Sequence, residues 1–148
     1  MTAWPEHLAA TGAVRFSRSS AHYDRTIAFY RDVVGLPFIG EFTESFGEDG
    51  TILGLPGLPA HLEIVRGRGP APEVDPLDQL VLYLSGAPAM ADVAARLDQA
   101  GVPTDPAPHP YWSARGARSF LDPDGRRLVL APWVFGVEAE PGASAASS

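Results

Sequence analysis

The stretch Ala60-His61-Leu62-Glu63-Ile64-Val65 reads as a β-strand with two unlike faces. Successive side chains of a strand point to opposite sides, so Leu62 and Ile64 share one face while His61, Glu63 and Val65 share the other. The first face asks for a hydrophobic core. The second sets an imidazole beside a carboxylate, a pair suited to holding a metal, contacting a ligand or moving a proton. Leu55-Pro56-Gly57-Leu58-Pro59 is a tight loop feeding this strand, and Gly67-Arg68-Gly69-Pro70-Ala71-Pro72 follows it as the one clear internal boundary.

Upstream, Ala13-Val14-Arg15-Phe16-Ser17 predicts a first strand that ends near Arg18, where the core-facing side would otherwise receive a charge. Ser19 and Ser20 are placed to cap a helix. Tyr23, Ile27, Tyr30 and Val34 form a helical stripe, and Gly35 with Pro37 stops it. Strands are expected at Phe38–Thr43 and Thr51–Leu53, joined through the turn signal Glu48-Asp49-Gly50. The first half therefore reads strand, helix, strand, strand, strand.

After the boundary the order repeats. Gln79–Leu84 is a strand; Pro88 opens a helix with Met90, Val93, Ala94 and Leu97 on one stripe, and Gly101 closes it. Val102-Pro103-Thr104 starts a weaker strand, and His109-Pro110-Tyr111-Trp112 is read as a loop. Arg118–Leu121 and Arg127–Ala131 are strands joined by the strong turn Asp122-Pro123-Asp124-Gly125. The expected fold class is α+β, two tandem βαβββ modules whose mixed sheets surround a concave pocket. The expected divisions are an irregular lead-in (1–12), module one (13–66), a linker (67–76), module two (77–135) and a disordered tail (136–148).

Laying one half over the other matches Arg15 with Gln79 in the first strands and Glu63 with Val129 in the fourth. The interval between the two positions is 48 residues in the first half and 50 in the second. Alternation puts Gln79, Val81, Tyr83, Arg127 and Val129 on the same side as His61 and Glu63, away from the helices. A polar-flecked sheet face of this kind suggests a ligand pocket between the two halves.

Composition narrows the function. A net charge of −7 argues against nucleic acid, which needs a basic stripe to neutralise phosphates. With no cysteine, thiolate metal sites, disulfides and cysteine nucleophiles are excluded. No stretch of 18 apolar residues and no signal-like start appear, so a cytoplasmic address with no membrane partner is expected. No phosphate loop, nucleotide fingerprint or Ser-His-Asp order is present.

Two stretches carry a family resemblance. Asp24-Arg25-Thr26-Ile27-Ala28-Phe29-Tyr30-Arg31-Asp32-Val33-Val34-Gly35-Leu36 resembles the "FY…LG" helix of the vicinal oxygen chelate superfamily. Phe120-Leu121-Asp122-Pro123-Asp124-Gly125 resembles the "DPDG" turn before that family's last strand. The superfamily groups glyoxalase I, bleomycin-resistance proteins and extradiol dioxygenases, and the resemblance covers about residues 13–133. It implies a homodimer and a small-molecule ligand, and it is far more specific for fold than for activity.

In catalytic relatives the metal is held from four equivalent places, which here are Arg15, Glu63, Gln79 and Val129. Glutamate is a usual ligand there and glutamine is tolerated, whereas arginine and valine are departures. Unit charges about 4 Å apart interact by about 4 kcal/mol at an effective dielectric near 20, and a divalent ion beside Arg15 faces about twice that as repulsion. Arg15 instead suits the carboxylate of Glu63.

The leading expectation is metal-independent binding of a partly aromatic or apolar molecule, as bleomycin-resistance-like members do, with no cofactor. Its candidate contacts are Arg15, His61, Glu63, Gln79, Tyr83, Tyr111, Trp112, Arg127 and Val129. One alternative is a glyoxalase-type lyase or dioxygenase holding a divalent metal with Glu63, His61 and Gln79. A second is a metal-free isomerase or hydrolase with His61 or Glu63 as base.

Overall fold

Parallel pairing between the first and last strands organises each half of the chain. The structure, a computed structural model, describes residues 5–8 and 14–136. It divides into two units, Met1–Pro70 and Ala71–Ser148. The described part of the lead-in forms a 3-10 turn at Glu6–Leu8. The rest of the lead-in, Ala13 and the tail beyond residue 136 lie outside the described residues.

The first unit contains β1 (Val14–Ser20), α1 (Tyr23–Ala28) continuing as a π-helical stretch (Phe29–Val34), β2 (Phe38–Ser45), β3 (Glu48–Gly54) and β4 (Ala60–Arg66). Its sheet runs β1-β4-β3-β2, with β1 parallel to β4 and the other pairs antiparallel. The second unit contains β5 (Gln79–Tyr83), α2 (Ala87–Gln99), α3 (Pro110–Ser113), β6 (Arg118–Leu121) and β7 (Arg127–Ala131). Its sheet runs β5-β7-β6, and β5 is parallel to β7. This is the α+β arrangement that the repeated order predicts.

The alternation of β4 decides the first core. Leu62 and Ile64 are fully buried together with Tyr30 and Leu53. Tyr30 meets Phe29 edge-on at 4.7 Å, and Gly35 ends the helix at φ +92°, its N–H donating to the Tyr30 carbonyl. In the second unit Leu97, Phe120, Leu128 and Leu130 are buried in the same sense. Asp122 holds the turn between β6 and β7 by accepting the N–H groups of Asp124 and Arg126, each at 2.9 Å.

Several local expectations are corrected. Strand β1 continues past Arg18 to Ser20 because Arg18, Ser19 and Ser20 keep their register with Ile64, Val65 and Arg66. Val14 and Phe16 on the same face are 60% and 62% exposed, so a charge at position 18 interrupts no core there. Ser20 accepts the His22 N–H and donates to Thr26 Oγ1, while His22 takes the N-cap position.

The β2–β3 turn is Phe46-Gly47, both at positive φ (51° and 82°), with Ser45 paired to Glu48. Asp49, expected in the turn, lies in β3 and accepts the Glu44 N–H at an irregularity in β2. The expected strand at Val102-Pro103-Thr104 shrinks to a single bridge, Thr104 to Phe120. Pro103 and Pro106 have no N–H to extend a ladder. The Tyr111-Trp112 stretch is not a loop: it forms the one-turn helix α3, where His109 Nδ1 accepts the Tyr111 N–H.

Candidate functional site

In the first unit the parallel ladder places Arg15 beside His61 and Ser17 beside Glu63. Glu63 has a side chain only 11% exposed, and both its oxygens are engaged. Ser17 Oγ donates to Oε1 at 2.7 Å, and Arg15 Nη1 donates to Oε2 at 3.2 Å. A carboxylate this buried needs such partners, since an unpaired buried charge is costly. Arg15 itself remains 52% exposed, so its outer face is open to an approaching group. His61 is half-buried on the same side of the sheet.

The second unit repeats the ladder at equivalent places: Gln79 pairs with Arg127 and Val81 with Val129. Position by position, Gln79, Val81, Arg127 and Val129 therefore stand where Arg15, Ser17, His61 and Glu63 stand in the first. The chemistry differs because α3 lies over this face. Trp112 packs with Val129, Ala131 and Trp133 in a buried cluster, with Tyr111 and Val81 at its margin. The face expected to be left uncovered by its own helices is thus partly roofed in this unit. Val129 is 1% exposed, and its apolar side chain belongs to that cluster. Trp112 donates its indole N–H to Gln79 Oε1 at 3.2 Å.

Arg127, a candidate ligand contact from the sequence, is held by Asp105 through Nε at 2.9 Å and Nη2 at 3.5 Å. The side chains of this pair are 17% and 2% exposed. Beside it lies a cavity of about 180 Å³ whose polar lining is Gln79, Asp105, His109, Ser119 and Arg127. Every residue lining it belongs to the second unit.

The structure therefore gathers Arg15, His61 and Glu63 on one sheet face and Gln79, Tyr111, Trp112, Arg127 and Val129 on the other unit's matching face. Tyr83, at the end of β5, is 41% exposed and does not line the cavity. Tyr111 meets Trp112 edge-on at 4.7 Å and carries the Arg115 guanidinium 4.3 Å above its ring. Sequence reasoning missed Ser17, Asp105, His109 and Ser119. Ser17 was within reach, since alternation puts it on the Arg15 face. Asp105 and His109 sit among prolines with no periodicity to place them. Among the described residues, no three His, Asp or Glu gather where they could hold a metal ion, and no helix is long and apolar enough to cross a membrane.

Comparison with known proteins places this geometry. Residues 14–65 match the YycE-like N-terminal domain and residues 78–132 the YycE-like C-terminal domain. Protein YycE of Bacillus subtilis (strain 168), itself uncharacterized, is 36% identical over 119 residues, spanning 79% of this chain and 85% of the relative. A crystal structure of a YycE protein of unknown function from Bacillus subtilis superposes with a TM-score of 0.73 at 33% identity, over 84% of this chain and 93% of that one.

Two more distant structures share the fold alone. One is a mutant of the fosfomycin resistance protein FosX from Listeria monocytogenes, complexed with Mn(II) and 1S,2S-dihydroxypropylphosphonic acid. Its TM-score is 0.66 at 15% identity, over 86% of this chain and 96% of that one. The other is TnmS3, an antibiotic binding protein from Streptomyces sp. CB03234, with a TM-score of 0.63 at 22% identity, over 84% and 98%. Matched in both halves and more than one-third identical to YycE over most of each chain, this chain belongs to the YycE-like family, within the vicinal oxygen chelate superfamily of glyoxalase and fosfomycin-resistance proteins.

Proposed function

We propose that this protein binds a small, partly aromatic or apolar molecule without the help of a metal ion. The observation that carries this reading is the Arg15–Glu63 pair, with Ser17 on the remaining carboxylate oxygen. A metal ion at Glu63 would have to displace a guanidinium that already neutralises it and a hydroxyl that already donates to it. The corresponding positions of the second unit support the same reading: Val129 has no donor atom, and Gln79 Oε1 is engaged by an indole N–H. These residues do not fit a divalent centre, which asks for about three unencumbered protein ligands.

In module one Arg15 anchors an acidic or carbonyl group and Glu63 orients a polar atom, with His61 beside them. In module two Gln79 and Arg127 orient polar atoms, and Trp112 supplies ring surface. That TnmS3 shares the fold and is an antibiotic binding protein supports a binding role. FosX, which shares the fold and was crystallised with Mn(II), supports the competing reading, a metal-dependent lyase or dioxygenase using Glu63, His61 and Gln79. We take the active form to be a cytoplasmic homodimer, which sedimentation would test.

The test is a small-molecule screen by intrinsic tryptophan fluorescence, run with and without EDTA. The expected result is at least one compound whose binding ignores EDTA and weakens on Arg15→Ala. Binding or turnover that appears only with an added divalent metal would overturn the proposal.

A further inference from the structure

The cavity of the second unit has a chemical bias that narrows what it can hold. Its polar lining divides into groups already satisfied by the protein and groups left for a visitor. Asp105 is mostly engaged: Oδ1 accepts the Ala107 N–H and Arg127 Nη2, and Oδ2 accepts Arg127 Nε. Gln79 is oriented, because an indole N–H can only donate. Its Oε1 therefore faces Trp112, and both amide hydrogens on Nε2 remain to be used. His109 is oriented too. Its Nδ1 accepts the Tyr111 N–H, so the proton of the neutral ring sits on Nε2, the other side. Arg127 keeps Nη1, and Ser119 adds a hydroxyl from β6.

The result is a cavity rich in donors and poor in acceptors. It is also close to charge-balanced, since the Arg127 cation lies against the Asp105 carboxylate at 2.9 Å. An anionic ligand would meet that carboxylate beside its only cation and lose its own hydration. An ammonium group would lie beside the Arg127 cation, with only the Ser119 hydroxyl and the remaining lone pairs of Asp105 Oδ2 and Gln79 Oε1 to receive it. A neutral carbonyl oxygen satisfies the donors without adding charge. Leu77, Pro108 and Pro110 supply apolar wall. At about 180 Å³ the space is slightly larger than the roughly 150 Å³ cavity known to hold benzene, so it suits one ring with one small substituent.

We infer that this cavity binds a neutral, single-ring carbonyl group, such as an amide, lactam or cyclic ketone, either as a whole ligand or as one end of a larger one. Gln79 Nε2 and Arg127 Nη1 are the donors to its oxygen. The inference rests on the reading of this protein as a small-molecule binder and names the chemistry of one part of the ligand.

The experiment titrates the full-length ¹⁵N-labelled protein with benzamide, benzoate and benzylamine, following the Trp112 indole N–H signal, which reports on Gln79. Benzamide is expected to shift that signal saturably, and benzoate and benzylamine to bind about tenfold more weakly or not at all, the loss of one good hydrogen bond. Gln79→Leu is expected to weaken benzamide to the same degree. Should that variant fail to fold, Arg127→Lys, which can keep a cation beside Asp105 but lacks Nη1, carries the same expectation. No saturable shift with benzamide, equal binding of benzoate, or full benzamide affinity in the folded variants would overturn the inference. A larger compound that binds without moving the Trp112 signal would also overturn it, while leaving the broader binding role standing.

Discussion

Arg15 Nη1 lies 3.2 Å from Glu63 Oε2, across a parallel pair of strands whose register sets Ser17 directly beside the same carboxylate. The two donors are unequal. Ser17 Oγ is closer, at 2.7 Å, and Arg15 is half exposed, where solvent screens it. Arg15→Ala should therefore cost no more than about 1 kcal/mol of stability. Ser17→Ala, which leaves a buried carboxylate oxygen short of a partner, should cost about 1–3 kcal/mol. Urea denaturation of the two variants measures both.

Trp112 depends on Gln79 in a comparable way. Removing the acceptor by Gln79→Ala strands a buried indole N–H at a cost of about 1–3 kcal/mol. Trp112→Ala should cost about 3–5 kcal/mol, because it empties the ring volume shared with Val129, Ala131 and Trp133. Denaturation midpoints rank the two, with Trp112→Ala the worse.

The Arg127–Asp105 pair is the most enclosed ion pair tied to the cavity, so breaking it should hurt more than breaking Arg15–Glu63. Arg127→Ala leaves Asp105, whose side chain is 2% exposed, without its cation and should cost about 3–5 kcal/mol. Asp105→Asn, which can keep the bond from Ala107 N–H, should cost less. Thermal unfolding of both variants checks the order.

Asp98 is held below the usual carboxylate range by hydrogen bonds from Arg118, which burial opposes and the nearby positive charge assists. A carboxyl group depressed on folding adds stability that is present above its unfolded pKa and is lost as pH falls through its folded value. A carboxyl NMR titration should give Asp98 a midpoint below that of an ordinary aspartate, and Arg118→Gln should return it upward. An unchanged midpoint in the variant would remove Arg118 as the cause.

The hairpin tip offers a gain. Phe46 is fully exposed and sits at φ +51°, a backbone conformation that asparagine tolerates far better. Phe46→Asn should stabilise by about 0.5–1 kcal/mol. Gly47→Ala, at φ +82°, should destabilise by about 1–2 kcal/mol. Chemical denaturation would separate these opposite signs.

The repeated strand order, the core faces of β4 and β7, and the Asp122 turn are legible in the sequence because each rests on local alternation or turn chemistry. The matched places of Arg15 with Gln79 and Glu63 with Val129 follow from spacing and reappear in the ladders, where Glu63 and Val129 each stand two residues past the partner of Arg15 and of Gln79. What escaped depends on pairing at a distance. Asp105 comes to Arg127 only because the proline-broken segment at 103–105 bonds to β6, through Leu121 N–H to Pro103 O and Asp105 N–H to Ser119 O. The covering of Val129 by Trp112 needs α3, a helix of four residues that is too short to leave a periodic signal. The Phe46-Gly47 turn was hidden because phenylalanine is an unusual residue at positive φ, and Asp49-Gly50 offered the more familiar pattern.

Whether an arginine or a metal ion partners Glu63 is decided most directly by the metal content of the tag-free protein, measured by elemental analysis. Far less than one equivalent of manganese, iron, nickel or zinc per chain is expected, with no change on Glu63→Ala. One equivalent of a divalent metal, lost on Glu63→Ala, would contradict it.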